Sequence, residues 1–99
     1  MRLKLSPFAL TDLKDSIEYY NQQQEGLGND FADKINAAFE RIKDNPKQFP
    51  KAYKVMRKAQ VERFPFNIFF VTKGNTGYVL GIFHSSRNPK TIKSRYAAI

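Results

Sequence analysis

Leu3 and Leu5 alternate with Arg2 and Lys4 at the start of the chain, the period of two that a strand with one buried face imposes. Ser6-Pro7 then changes the pattern. A serine whose side chain can accept a free amide, followed by a proline whose missing N–H costs nothing in the first turn, predicts a helix start. From there Ala9, Leu13, Ile17 and Tyr20 recur at steps of four, four and three, with Phe8 and Leu10 flanking the stripe. That spacing lays one apolar stripe along an amphipathic helix. The polar run Asn21-Gln22-Gln23-Gln24-Glu25 and Gly26 ends it, the glycine suiting a left-handed position.

A second helix is predicted from Leu27, Phe31, Ile35, Ala38 and Ile42, which share one face with Phe39 beside them. Asn29 or Asp30 is the expected cap. Asn45-Pro46 stops the helix, because a residue before proline avoids the helical region. Beyond Phe49-Pro50 the period falls to two. Tyr53 to Phe64 reads as one strand, or as two broken around Lys58-Ala59, and Pro65 demands an edge or a bend. Phe66–Thr72 and Tyr78–His84 flank the turn Lys73-Gly74-Asn75-Thr76-Gly77, which predicts a β-hairpin. Both runs are apolar at nearly every residue, so both faces should be covered and both strands central. A basic tail follows, with a short helix expected around Thr91–Tyr96. The predicted architecture is α+β in a single domain of residues 1–99: an N-terminal strand and a helical hairpin packed on a small antiparallel sheet of three to four strands.

Composition narrows the function. The chain has no cysteine and one histidine, His84, and its acidic residues fall mostly on helix surfaces, so no metal or other cofactor is expected. No Gly-rich phosphate loop occurs. There is neither an apolar run long enough to cross a bilayer nor a signal-peptide pattern at the start, and a cytoplasmic, membrane-free protein is expected. The net charge of +8 is divided unevenly. Residues 1–45 carry six basic and eight acidic side chains, a net of −2, whereas residues 46–99 carry eleven basic side chains against Glu62 alone, a net of +10. Such polarity predicts an anionic partner for the second half: nucleic acid, ribosome or an acidic protein.

Five pieces then occur in order. Ser6, Ala9, Asp12-Leu13, Ile17 and Tyr20 fall in the first helix; Gly28 and Phe31 open the second. Asn45-Pro46 and Phe49-Pro50 close it, Arg63-Phe64-Pro65-Phe66-Asn67-Ile68-Phe69-Phe70 leads into the hairpin, and His84-Ser85-Ser86-Arg87-Asn88-Pro89 follows the last strand. Taken together, these pieces resemble the RelE/ParE superfamily of type II toxins, its ParE-like branch (plasmid stabilisation proteins) more than its RelE-like branch. The resemblance implies a small toxin neutralised by an acidic antitoxin whose C-terminal segment wraps it. It also implies one of two targets: DNA gyrase, inhibited by protein contact without covalent chemistry, or mRNA on the ribosome, cut by a metal-independent endoribonuclease.

RNA cleavage without a metal needs a base for the 2′-OH, an acid for the leaving oxygen and cations for the phosphorane. The candidates are His84, Arg87 and Arg63. Lys54, Arg57, Lys58, Arg87, Lys90 and Tyr96 are candidates for nucleic-acid or target binding. Each also has a plainer reading: His84 as a strand-end hydrogen-bonding group, the arginines as partners for antitoxin carboxylates, and Tyr96 as packing for the C-terminal turn. The incomplete catalytic set favours gyrase inhibition over RNA cleavage, and a plain nucleic-acid-binding module ranks third. An apolar antitoxin groove is expected along the helical hairpin and sheet edge, with Leu10, Leu27, Phe39 and Arg63 as contacts. A homodimer is expected to cover it when the antitoxin is absent.

Overall fold

Ser6 joins the first strand to the first helix. In the computed structural model, which describes residues 1–98, β1 spans Arg2–Leu5 and α1 spans Pro7–Gln23. The Ser6 side chain accepts the Ala9 N–H at 3.1 Å, and Pro7 occupies the first turn. α2 spans Leu27–Asp44. Its start differs from the expected cap at Asn29 or Asp30: Gly26 takes a left-handed φ of +83°, so the chain turns and re-enters a helix at once from Leu27. A 3₁₀ turn at Pro46–Gln48 follows. Then come β2 (Lys51–Tyr53), β3 (Met56–Gln60), β4 (Phe66–Lys73), β5 (Thr76–His84) and α3 (Pro89–Ala97).

The sheet has five strands in the order β1-β5-β4-β3-β2, not three to four, and it is mixed rather than antiparallel. β1 does not pack on the sheet but joins it, running parallel to β5 with Leu3 opposite Gly77. A parallel pair needs a crossover, and the helical hairpin is part of it. The break expected around Lys58-Ala59 lies instead at Lys54-Val55, where Lys54 adopts φ +51°. β4 and β5 are central, as their two-faced apolarity predicts, and their turn is the pair Gly74-Asn75, with Gly74 at φ +59°.

Alternation along the strands divides the core. The first face carries Ala59, Phe66, Ile68, Phe70, Val79 and Ile82 against Phe31, Ile35, Ala38 and Ile42 of α2 and Ala9 of α1. The second carries Met56, Phe69, Val71, Leu80 and Phe83, partly roofed by Ile92 and Tyr96 of α3. The helical hairpin therefore covers one face and the C-terminal helix only part of the other.

Tyr20 sits in an aromatic cluster on the first face, its ring centroid 5.2 Å from Phe31, 5.0 Å from Phe64 and 6.0 Å from Phe66. Burial, with a smaller contribution from Tyr19, raises the phenol above its ordinary value of 10.0. A group whose folded value is raised favours the folded state below its unfolded value and loses that contribution as pH rises through the folded one. Thermal stability should therefore fall above pH 10 more steeply in the parent than in Tyr20→Phe. Melting curves collected on both sides of pH 10 check this, and parallel pH profiles for the two proteins would contradict it.

Candidate functional site

The turn between β5 and α3 positions His84 and Arg87. Arg87 N–H donates to the His84 carbonyl at 2.9 Å, and Ser85 N–H to the Pro65 carbonyl at 2.7 Å, so the turn is tied to the bend before β4. Asn88 caps α3, its side chain accepting the Lys90 N–H at 2.8 Å, with Pro89 in the first turn.

His84 is exposed, and its use is local. Nδ1 accepts the Ser86 N–H at 3.1 Å and lies 2.8 Å from the Ser86 Oγ. An Nδ1 that accepts from an amide leaves the proton of the neutral ring on Nε2. The ring stands edge-on to Phe66 at 5.5 Å. His84 and Arg87 line one hollow of about 170 Å³, and Asp12, Asp15 and Ser16 of α1 line it with them. Arg63 does not join this group. It adopts φ +71°, sits 3.6 Å from Asp30 of α2, and lines a separate hollow with Arg41, Gln60 and Glu62.

The basic candidates divide between the faces of the sheet. Arg57 is half-buried and donates through Nη1 to the Phe49 carbonyl at 2.6 Å, holding the chain that leads into β2. Lys58 points the other way and, with Tyr53, Phe69, Arg87, Ile92 and Lys93, lines a hollow of about 230 Å³ between β3, β4 and α3. Tyr96 packs edge-on against Tyr53 at 5.5 Å, with the Lys54 Nζ 5.9 Å from the Tyr96 ring and 5.5 Å from that of Tyr53. Lys93 approaches Tyr53 from α3 at 5.3 Å. Lys90 is exposed at the start of α3, outside this cluster's contacts. Lys54, Lys58, Arg87 and Lys93 thus form a cationic and aromatic patch, and none of them is in an ion pair among the described residues.

Of the residues expected in an antitoxin groove, Leu10 is 43 % exposed on α1. Leu27 and Phe39 are half-buried, packed against the first-face core. An apolar hollow of about 500 Å³ is on the opposite face of the sheet, lined by Leu5, Val71, Tyr78 and Leu80 together with Lys4 and Lys73.

One pair escaped sequence reasoning as a pair. Asp12 of α1 accepts from Arg95 of α3, Oδ2 from Nη1 at 2.8 Å and Oδ1 from Nη2 at 3.3 Å, and both side chains are largely buried. Asp12 Oδ2 also accepts the Ile82 N–H at 3.0 Å, while Arg95 Nη1 donates to the Leu80 carbonyl at 2.7 Å. The pairing of β1 with β5 runs from Thr76 only as far as Val79. Beyond that point this ion pair takes over two backbone groups of β5 and locks α3 to α1. Asp12 is in the "DL" of the first-helix motif, but its partner lies 83 residues away with no local pattern to mark it.

The family described as the ParE toxin of the type II toxin–antitoxin system parDE matches residues 3–89. Among solved structures, one titled "Chromosomal ParDE TA system from P. aeruginosa" contains a chain similar in fold. Its TM-score is 0.75 at 23% sequence identity, over 85% of this chain and 95% of that one. No curated protein sequence matches significantly.

Proposed function

The chain belongs to the ParE toxin family of type II toxin–antitoxin systems, and from that premise we infer that it arrests growth by binding DNA gyrase as a protein inhibitor, without cutting nucleic acid. The setting of His84 carries this reading over the ribonuclease one. The chain's single histidine spends Nδ1 on Ser86 and shares its hollow with the carboxylates of Asp12 and Asp15. A phosphodiester entering there would meet Arg87 as the one lining cation, beside Asp12, already paired with Arg95, and Asp15, where a transition state gathering negative charge needs several cations. Arg63, which would have supplied one, pairs with α2 instead. The exposed cations Lys54, Lys58 and Lys93 lie on the other side of the turn, around Tyr53 and Tyr96, with Arg87 lining both hollows, and there they suit an acidic protein surface. An acidic antitoxin is the partner expected to neutralise such a chain.

Expression without antitoxin should stop growth, and His84→Ala should leave that arrest intact, since an exposed side chain bonded only to its own turn can be removed without disturbing the core. Purified protein should inhibit gyrase supercoiling and leave mRNA whole in a cell-free translation reaction. Loss of toxicity in a folded His84→Ala variant, accompanied by mRNA cleavage in the parent, would establish the ribonuclease reading in its place.

A further inference from the structure

We propose that the hollow between β3, β4 and α3 is a binding site for a nucleoside monophosphate, held by its phosphate among Lys58, Arg87 and Lys93 and by its base against Tyr53. The site needs no partner protein and stands apart from the toxin reading. Three cations line this hollow, and no carboxylate lines it with them. None of the three is in an ion pair among the described residues. Arg87 also borders the hollow of Asp12 and Asp15, but those carboxylates are absent from the lining on this side of the turn. Like charges gathered round one hollow repel each other, and an anion relieves that cost. A phosphate monoester brings roughly two negative charges at neutral pH. A single carboxylate would leave two of the three cations unmatched.

The two halves of the lining select the rest of the ligand. On the cationic side, the Arg87 guanidinium lies 5.1 Å from the centroid of the Phe83 ring. That contact uses the face of the guanidinium and leaves its N–H groups to donate to phosphate oxygens. Asn67 and Ser85 add an amide and a hydroxyl to the same wall. The other side is apolar and is formed chiefly by Tyr53 and Ile92. The Tyr53 ring stands edge-on to Tyr96 at 5.5 Å, with the Lys54 and Lys93 ammonium groups 5.5 and 5.3 Å from its centroid. A nucleobase presents a flat face that stacks on such a ring, whereas inorganic phosphate leaves this side empty. The hollow measures about 230 Å³, just under the range of about 300–1,000 Å³ of pockets that enclose a ligand. That size suits one phosphate with its base partly in solvent, and it leaves no room for a longer phosphate chain.

The test titrates the full chain with adenosine monophosphate, inorganic phosphate and adenosine by calorimetry. The monophosphate should bind about tenfold or more tightly than either fragment, since only it meets both halves of the lining, and it should raise the melting temperature. Lys58→Ala/Lys93→Ala changes two exposed side chains and should weaken that binding by about tenfold or more. Lys4→Ala/Lys73→Ala removes the same charge from exposed positions outside this hollow and should leave the affinity near the parent value. Both double variants should melt with the parent when no ligand is present. Tyr53→Leu should weaken the monophosphate and leave inorganic phosphate unchanged, which separates stacking from charge. Absence of both heat and stabilisation when the parent meets millimolar monophosphate overturns the site. Equal weakening in the two lysine pairs also overturns it, since the binding would then follow net charge alone. Inorganic phosphate binding as tightly as the monophosphate would mean an adventitious ion only. A single-stranded RNA oligomer that binds where the monophosphate does not, and is lost in Lys58→Ala/Lys93→Ala, would assign the hollow to nucleic acid and likewise overturn the proposal.

Discussion

Asp12→Ala should destabilise the protein by about 2–3 kcal/mol, lowering the melting temperature by on the order of 10–20 °C for a domain of this size. The carboxylate accepts three hydrogen bonds from two elements: two from Arg95 of α3 and one from the Ile82 amide of β5. Removing it leaves the Ile82 N–H without its partner at a residue only 2 % exposed, and leaves the Arg95 guanidinium with the Leu80 carbonyl alone. Breaking a fully buried pair costs about 3–5 kcal/mol. Here the side chains keep 15–16 % exposure, so water offsets part of the loss and the expected cost falls below that range.

Chemical denaturation decides the matter. Asp12→Asn retains an acceptor for Ile82 and should recover part of the stability lost in Asp12→Ala. Arg95→Met should cost less once Asp12 is already Ala than it does alone, the coupling expected of groups in one network. Additive effects, or a cost under about 1 kcal/mol for Asp12→Ala, would mean that the ion pair does not anchor the C-terminal helix. Because α3 contributes Ile92 and Lys93 to the basic aromatic patch, loss of this anchor should also weaken target binding while sparing the helical hairpin.

The residues that made the fold legible carry local rules. Ser6-Pro7 marks a helix start whether or not its partners are known, and Gly74-Asn75 between two runs apolar on both faces marks a central hairpin. What could not be read was pairing at a distance. Leu3 and Leu5 show that β1 is a strand with a buried face, but four residues say nothing about which strand lies alongside or in which direction, so its parallel place beside β5 is not legible. Lys54 and Arg63 adopt positive φ without being glycine or asparagine; their conformations come from the surrounding structure, and composition does not announce them.

The candidate site divides in the same way. His84 and Arg87 are three residues apart and necessarily near each other, yet the two aspartates beside them come from α1 and change what the hollow can do. Leu27 and Phe39 were legible as apolar positions, but their half-burial against the core depends on how α2 sits over the first face. The charge split was legible in full, and the structure adds that Lys58, Arg87 and Lys93 of the basic half line one hollow on the second face, whereas Arg63 lies apart against α2.

Gly28→Ala is the second large effect, and its sign is opposite to that of an ordinary helical glycine. Replacing a glycine inside a helix by alanine normally gains up to about 1 kcal/mol of helix propensity. Gly28, in the first turn of α2, is where α2 lies against α1. A Cβ built there collides with the Ile17 carbonyl oxygen and with the Asn21 side chain, whose Oδ1 accepts the Gly28 N–H at 2.7 Å. An asparagine side chain can swing away, at the loss of that hydrogen bond. The Ile17 carbonyl belongs to the α1 backbone and yields only if the two helices separate, which loosens the packing of Tyr20 on Phe31 just beyond the contact. Overpacking of this kind costs about 1–3 kcal/mol, more where backbone must move, so a net loss of about 2 kcal/mol is expected in urea unfolding. Gly26→Ala separates the two ways a glycine can be required. There a Cβ meets nothing within 4 Å, and only the φ of +83° opposes it, a strain of about 1 kcal/mol. Gly28→Ala should therefore be the more damaging of the two, even though its backbone is ordinary helix. If it proves neutral or stabilising, the helices are not in the close contact that this structure gives them.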